Sequence, residues 1–194
     1  QLGDNTIISK SYAVQVKSTE VGGFLTDVSD NISAGAAHAA AVKDDGTIWT
    51  WGLNTSFQLG DGTVALRNQP VQLAGVTDAA QVRAAFNFTV MTTTGGAVKA
   101  WGAASYSPLG IDEIKKIIPT PMYGFENEPV SDVAGGTSHS VVVRASDGSV
   151  WTTGLNSSSQ LGDIIPTDSV TGNGTIVTVN TTPNHGLSSG QTVV

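Results

Sequence analysis

The stretch GTIWTWGLNTSFQLGD at residues 46–61 decides the fold, because it returns twice further along the chain. GAVKAWGAASYSPLGI at 96–111 and GSVWTTGLNSSSQLGD at 148–163 share its glycines, the leucine before its last glycine and most of its apolar positions. A further copy of the QLGD ending opens the chain at Gln1. A unit that recurs roughly every 50 residues is typical of propellers and other stacked repeats.

A second shared element precedes each of these stretches: SAGAAHAAAV at 33–42, AAFNFTVMT at 84–92 and AGGTSHSVVV at 134–143. Short apolar or alternating runs separated by turn formers such as Asp45-Gly46 predict about four strands per unit. In the second unit, we predict strands at 79–85, 88–94, 97–102 and 120–124. The fold class is therefore all-β, with four-stranded β-propeller blades.

The repeat divides the chain into a partial blade at 1–27 and blades at about 28–77, 78–130 and 131–163. Residues 164–194 break the pattern and are interpreted as the start of a separate small β-module or an insertion. Within the second unit, residues 112–118 are interpreted as a short insertion, whose isoleucines Ile114, Ile117 and Ile118 would share one side of a helix. About three blades form an incomplete ring. We therefore expect a longer chain or other subunits to supply the remaining blades.

Charge and composition exclude several classes of function. Lys and Arg number 9 against 16 Asp and Glu, a net charge of −7. Nucleic-acid binding needs clustered cations, so no nucleic-acid partner is expected. Cysteine is absent, which excludes disulfides and thiolate chemistry. No apolar run reaches the length of a bilayer span, so no membrane insertion is expected either.

The order G-x-x-H, D-G turn, W-G-x-N and Q-L-G resembles the regulator-of-chromosome-condensation repeat. That resemblance implies a seven-bladed β-propeller, of which this chain holds less than half. The founding member exchanges guanine nucleotides on a nuclear GTPase and binds chromatin, but neither activity is carried by the matching residues. The middle unit departs from the pattern, because Ala85 and Phe88 replace its Gly and His. The structural repeat positions are Gly35, His38, Trp51, Gly52, Leu59, Gly60, Trp101, Gly102, Leu109, Gly110, Gly136, His139, Gly154, Leu161 and Gly162.

The end of the chain carries a second resemblance. Its T-V, H-G-L, G and V positions are similar to a small β-module repeated in phage tail and virion proteins. The residues concerned are Thr178, Val179, His185, Gly186, Leu187, Gly190 and Val193.

The chemistry-bearing residues favour structural roles. His38 and His139 share a repeat position with Phe88, and a catalytic base or metal ligand is not replaceable by Phe. The aspartates beside glycines belong to turns. The regularly spaced tryptophans favour core packing, although sugar stacking is an alternative. We expect no enzyme and no catalytic, cofactor or metal-binding residue.

Four aromatic residues break the repeat and are candidates for a binding surface, with ordinary packing as the alternative: Phe57, Phe86, Tyr106 and Tyr123. The leading hypothesis is a non-enzymatic structural and binding module of a virion, from a phage tail, fibre or baseplate. Its partners would be the remaining blades, other virion proteins, or a protein or glycan on a host surface. The alternatives are a cytoplasmic or nuclear propeller regulator of the guanine-nucleotide-exchange type and a secreted protein-binding propeller.

Overall fold

The computed structural model describes residues 1–18, 23–103, 108–110, 115–126, 128–162, 171–172 and 177–178. The chain divides into two compact units, Gln1–Leu161 and Gly162–Val194. In the second unit, the described residues form one antiparallel pair of short strands, Thr171–Gly172 with Val177–Thr178. The other predicted features of 163–194 lie outside the described residues.

The first unit contains three antiparallel sheets whose strands follow one another in chain order. The first sheet comprises β1 (Val28–Ala34), β2 (His38–Lys43), β3 (Ile48–Gly52) and β4 (Arg67–Gln72). The second comprises β5 (Ala79–Ala84), β6 (Phe88–Thr93), β7 (Val98–Ala103) and β8 (Lys115–Pro121). The third comprises β9 (Val130–Gly135), β10 (His139–Arg144) and β11 (Val150–Gly154). These sheets confirm the prediction of an all-β fold built from propeller blades.

The outer strand of the second blade differs from the prediction. It runs over Lys115–Pro121 rather than 120–124, pairing Lys116 with Gly102 and Pro121 with Lys99. The helical alternative at 112–118 is therefore wrong for its described residues, 115–118. The Ile117 carbonyl accepts the backbone N–H of Gly62 at 3.0 Å, so contacts outside the segment decide its conformation.

Aspartates close the tight turns between the second and third strands of the first and third blades. Asp45 Oδ1 accepts the Thr47 backbone N–H at 3.0 Å and its hydroxyl at 2.6 Å. Asp147 makes the same pair of bonds with Ser149, at 2.9 and 2.6 Å. In both aspartates, the hydroxyl bond and then the N–H bond lower the carboxyl pKa. Such side-chain bonds to the backbone two residues on are the chemistry that favours Asp in turns.

The hydrophobic core lies between the blades. One cluster joins the first two blades and a second joins the second and third blades. Trp101 and Phe88, both fully buried, belong to these junctions. Fully burying one large apolar side chain contributes about 1.5–3 kcal/mol. A blade therefore gains its core by stacking on its neighbours, as repeat architectures require.

The antiparallel order places two sets of connections at the same end of each blade. The backbone N–H of Leu53, at the end of β3, donates to Ala37 O in the β1–β2 turn at 2.8 Å. Leu155 donates to Ser138 O in the third blade, also at 2.8 Å. We call this end, with the β1–β2 and β3–β4 connections and their equivalents, the loop face. The Asp-Gly turns lie at the opposite end.

Candidate functional site

The junction between the first and second blades is held by a chain of polar contacts. His38 Nε2 lies 2.9 Å from Thr89 Oγ1, and the Thr89 hydroxyl donates to Gln58 O at 2.8 Å. A hydroxyl has one proton to donate, so the oxygen of Thr89 accepts from Nε2–H. The proton of this contact therefore lies on His38 Nε2.

Burial keeps the His38 ring uncharged. The side chain is 2% exposed, and desolvation lowers its pKa from 6.5 to about 4. The ring packs on Gly35, where a Cβ atom would lie 2.5 Å from Cε1 of His38. The G-x-x-H element is thus a packing unit: the glycine makes room for the imidazole, and the imidazole reaches the next blade.

The Gln-Leu-Gly element fastens each blade to the next. Trp101 Nε1 donates to Gln58 O at 3.0 Å, and Trp51 Nε1 donates to Gln1 O at 2.9 Å. In the third blade, the Ser140 hydroxyl donates to Pro108 O. The carbonyl at the Gln position is therefore an acceptor for the following blade at all three places, even where Pro replaces Gln.

A second contact fastens the same element at the outer strands. The N–H of Gly62 donates to Ile117 O of β8 at 3.0 Å, and the N–H of Asn5 donates to Asn68 O of β4 at 2.9 Å. Asn5 follows the first QLGD sequence just as Gly62 follows the second. The opening residues of the chain therefore occupy, beside the first blade, the place that 58–62 occupies beside the second.

The third blade builds the same element without a described blade to receive it. Asn156 Oδ1 accepts Leu161 N at 3.0 Å, as Asn54 Oδ1 accepts Leu59 N at 3.0 Å. Trp151 is 43% exposed, with the Arg144 guanidinium 4.5 Å from its ring centroid. The prediction of a core position therefore fails for Trp151. Its ring meets that of Phe125, which follows β8, edge-on with the centroids 6.1 Å apart. However, β11 is the outermost described strand of its sheet, whereas the equivalent Trp49 has β4 paired beside it. The other tryptophans, Trp49, Trp51 and Trp101, are buried.

The candidate aromatics do not converge on one patch. Phe57 is half-buried in the β3–β4 connection, with Lys115 Nζ 5.7 Å from its ring centroid, and Phe86 is 50% exposed in the β5–β6 turn. Both belong to the loop face. Tyr123 is 58% exposed but follows the other end of β8, where Pro121 pairs with Lys99. Tyr106 lies outside the described residues.

Two further searches concern only the described part of the chain. It contains no group of three or more His, Asp or Glu side chains placed to hold a metal ion. It also contains no helix with the length and apolarity needed to cross a bilayer.

Comparison with known proteins identifies the repeat. The Regulator of chromosome condensation (RCC1) repeat matches residues 30–58 and 130–160 in one form and 45–91 and 95–143 in another. The Ultraviolet-B receptor UVR8 of Arabidopsis thaliana is 31% identical over 134 residues, which are 68% of this chain and 30% of the receptor. The human E3 ubiquitin-protein ligase HERC2 is 32% identical over 135 residues, 67% of this chain and 3% of the ligase.

Solved structures share the blade architecture. Human WBSCR16 superposes with a TM-score of 0.63 at 22% identity, covering 78% of this chain and 38% of that protein. Prp20p from Saccharomyces cerevisiae superposes with a TM-score of 0.58 at 21% identity, covering 68% of this chain and 33% of Prp20p. The chain therefore spans a minor part of each of these relatives. The matched repeats cover residues 30–91 and 95–160 and coincide with the blades, so the chain belongs to the regulator of chromosome condensation (RCC1) repeat family.

Proposed function

We propose that this chain is a non-enzymatic, protein-binding part of a cellular propeller regulator, acting in the cytoplasm or nucleus. The relatives named above include a plant receptor and a human ubiquitin ligase, and none of them is a virion protein. Prp20p, whose fold this chain shares in part, has binding properties to Gsp1p and histones. These relatives favour the cellular alternative over the virion, phage-tail and host-attachment hypothesis.

The junction geometry supports a role without catalysis. His38, the described histidine best shielded from water, is committed to Thr89 and packs on Gly35. Thr89 and Gln58 are committed to the same chain of contacts. The polar residues of the repeat therefore hold blades together, and their arrangement leaves the loop face to meet partners.

Phe86 is the observation that carries the protein-binding proposal. It is 50% exposed, although its turn is fixed on both sides by the buried residues Ala85 and Phe88. An aromatic side chain has only two side-chain torsions to restrain on binding, and aromatic residues are frequent energetic anchors of interfaces. Phe57 and Lys115 lie on the same face and supply an aromatic surface beside a cation.

The test compares two surface variants of the full chain, Phe86→Ser on the loop face and Tyr123→Ser at the opposite end. Each is immobilised beside the unchanged chain in a lysate of the source cells, and captured proteins are quantified by mass spectrometry. We expect a set of proteins that Phe86→Ser loses and Tyr123→Ser retains, with unchanged thermal melting of both variants. Equal capture by all three chains would contradict the proposal.

A further inference from the structure

One bulky side chain of the first blade occupies a backbone conformation that bulky residues avoid. Phe57 has a φ of 59°, in the left-handed region, where the Cβ atom crowds the following carbonyl oxygen. Glycine takes this conformation freely, and short polar residues tolerate it, whereas a bulky residue there is an outlier. Among the described residues, the other non-glycine positions with positive φ carry short polar side chains: Asn5, Asp27 and Ser159.

Backbone hydrogen bonds of the β3–β4 connection impose this conformation. Phe57 N donates to Asn54 O at 3.0 Å, and Gly60 N donates to Phe57 O at 3.0 Å. Ser56 N donates to Gln58 Oε1 at 2.8 Å. None of these bonds involves the phenyl ring. The loop therefore holds position 57 in the left-handed region without help from its side chain.

The third blade forms the same loop with a small side chain. Ser159 stands at the position equivalent to Phe57, has the same φ of 59°, and is exposed. Ser159 N donates to Asn156 O at 3.1 Å, and Ser158 N donates to Gln160 Oε1 at 2.7 Å, as in the first blade. Folding of the loop therefore does not explain why the first blade carries Phe.

Core packing does not explain the phenyl ring either. Phe57 is half-buried and is not a member of either buried cluster. Lys115 Nζ lies 5.7 Å from its ring centroid, but this lysine is exposed, and cation–π contacts at exposed sites are weak. The strain at Phe57 is therefore offset only in part by contacts of its ring within the chain.

Phe57 adjoins the first blade junction on the loop face. The carbonyl O of the next residue, Gln58, accepts the Thr89 hydroxyl at 2.8 Å. Thr89 pairs with Ala84 across the β5–β6 hairpin, whose turn carries the exposed Phe86. Phe57 and Phe86 therefore belong to two segments that meet at one junction, one from each blade.

We propose that Phe57 is a partner-contacting residue, whose ring meets an apolar side chain of a partner protein beside the first junction. The proposal rests on the proposed protein-binding function and adds a second contact residue and the chemistry of the contact. Backbone strain is concentrated at functional sites, where the strained residue is retained for its role. Removing the part of the ring that water still reaches from solvent would stabilise a complex.

The experiment changes Phe57 and its equivalent in the third blade to a residue that tolerates the left-handed region. Phe57→Asn removes the ring, Ser159→Asn is the matched control, and Phe57→Tyr keeps an aromatic ring. Thermal melting of the full chain measures stability. Capture from a lysate of the source cells is quantified for the proteins that Phe86→Ser loses. It is repeated at about 1 M salt, where the Debye length is about 3 Å and ionic contacts are screened.

We expect Phe57→Asn to melt at the temperature of the unchanged chain or up to about 4 °C above it, because relief of strain offsets the lost ring contacts. This variant should capture the Phe86-dependent proteins at least about tenfold less. Ser159→Asn and Phe57→Tyr should capture them as the unchanged chain does. Capture by the unchanged chain should persist in concentrated salt, because the contact is apolar.

Four outcomes would overturn the proposal. A lower melting temperature of Phe57→Asn would show that the ring supports the fold instead. Undiminished capture by Phe57→Asn, an equal loss with Ser159→Asn, or loss of capture in concentrated salt would contradict an apolar contact made by this ring. Phe86-dependent capture that survives Phe57→Asn would leave the proposed function standing, whereas absence of any Phe86-dependent capture would remove both proposals.

Discussion

His38 of the first blade and Thr89 of the second are joined across the blade junction by a 2.9 Å contact between Nε2 and Oγ1. At the next junction, Phe88 occupies the histidine position and is fully buried, while the Ser140 hydroxyl donates to Pro108 O. The bond from Thr or Ser to the preceding carbonyl is therefore common to both junctions. At the first junction, the His38 imidazole adds its own contact to this bond. At the second junction, the Phe88 ring occupies the position of the imidazole.

Replacing His38 with Phe should lower the free energy of unfolding by about 1–3 kcal/mol. The variant loses the contact with Thr89 but keeps a flat ring over Gly35, and Thr89 still donates to Gln58 O. Urea unfolding followed by circular dichroism measures the change. His139→Phe is the matched control, because His139 is only half-buried and should be affected less. A loss of partner capture by His38→Phe with unchanged stability would show that the ring has a binding role instead.

Acid should destabilise the first junction in a defined pH window. The folded pKa of His38, about 4, lies below the ordinary 6.5, so the unfolded chain takes up the proton first as pH falls. The neutral His38 ring makes its full contribution to the free energy of unfolding above pH 6.5. That contribution, about 3 kcal/mol in total, is lost progressively as the pH falls toward 4. Urea unfolding at several pH values measures this slope.

His38→Phe is the control for that slope, because it removes the titrating group. The lowered carboxyl pKa values of Asp45, Asp61 and Asp147 act mainly below this window, since each lies under the ordinary 3.8. An equally steep loss of stability in His38→Phe between pH 6.5 and 4 would contradict the assignment to His38.

The blades were predictable from sequence because their strands combine a repeated apolar pattern with local turn chemistry. The G-x-x-H and Q-L-G elements were recognisable as repeats, but the residues that they contact in the next blade were not. His38 and Thr89 belong to different units, and the acceptor is a backbone carbonyl, which leaves no trace in residue identity. The outer strand at Lys115–Pro121 was misplaced because Gly62, more than fifty positions earlier, supplies one of its hydrogen bonds.

Exposure was the property least accessible from sequence. Trp49 and Trp151 occupy equivalent strand positions, yet one is 3% exposed and the other 43%. Trp49 is paired with Gln72 of β4, whereas β11, which carries Trp151, is the outermost described strand of the third sheet. The candidate aromatics differ in position instead. Phe86 and Tyr123 are similarly exposed but lie at opposite ends of the second blade, which only the sheet register shows.

Gly60 should tolerate alanine much less well than Gly75. Both have left-handed backbones, with φ of 75° and 74°. A Cβ at Gly60 would lie 2.5 Å from Trp101 Nε1, whereas one at Gly75 meets nothing within 4 Å. Gly75→Ala therefore reports backbone strain alone, about 1–2 kcal/mol.

Gly60→Ala adds displacement of the indole from Gln58 O, and we expect a total loss of about 3–4 kcal/mol. Urea unfolding gives both values, and tryptophan fluorescence reports the displaced ring. Equal losses in the two variants would mean that the close approach of Gly60 to Trp101 does not matter for stability.

The chain should not bind duplex DNA, even at low salt. Several of its guanidinium groups already face carboxylates: Arg67 lies 2.7 Å from Asp61, and Arg83 lies 3.4 Å from Asp132. Phosphate binding would have to displace these carboxylates against a net charge of −7. An electrophoretic shift assay with a short duplex measures binding.

Asp132→Asn is the matched variant, since it removes the carboxylate facing Arg83 while leaving the overall acidic excess nearly intact. This variant should also fail to bind. A shift with the unchanged chain that weakens steeply as salt is added would contradict the prediction, because counterion release would then demonstrate direct phosphate contacts.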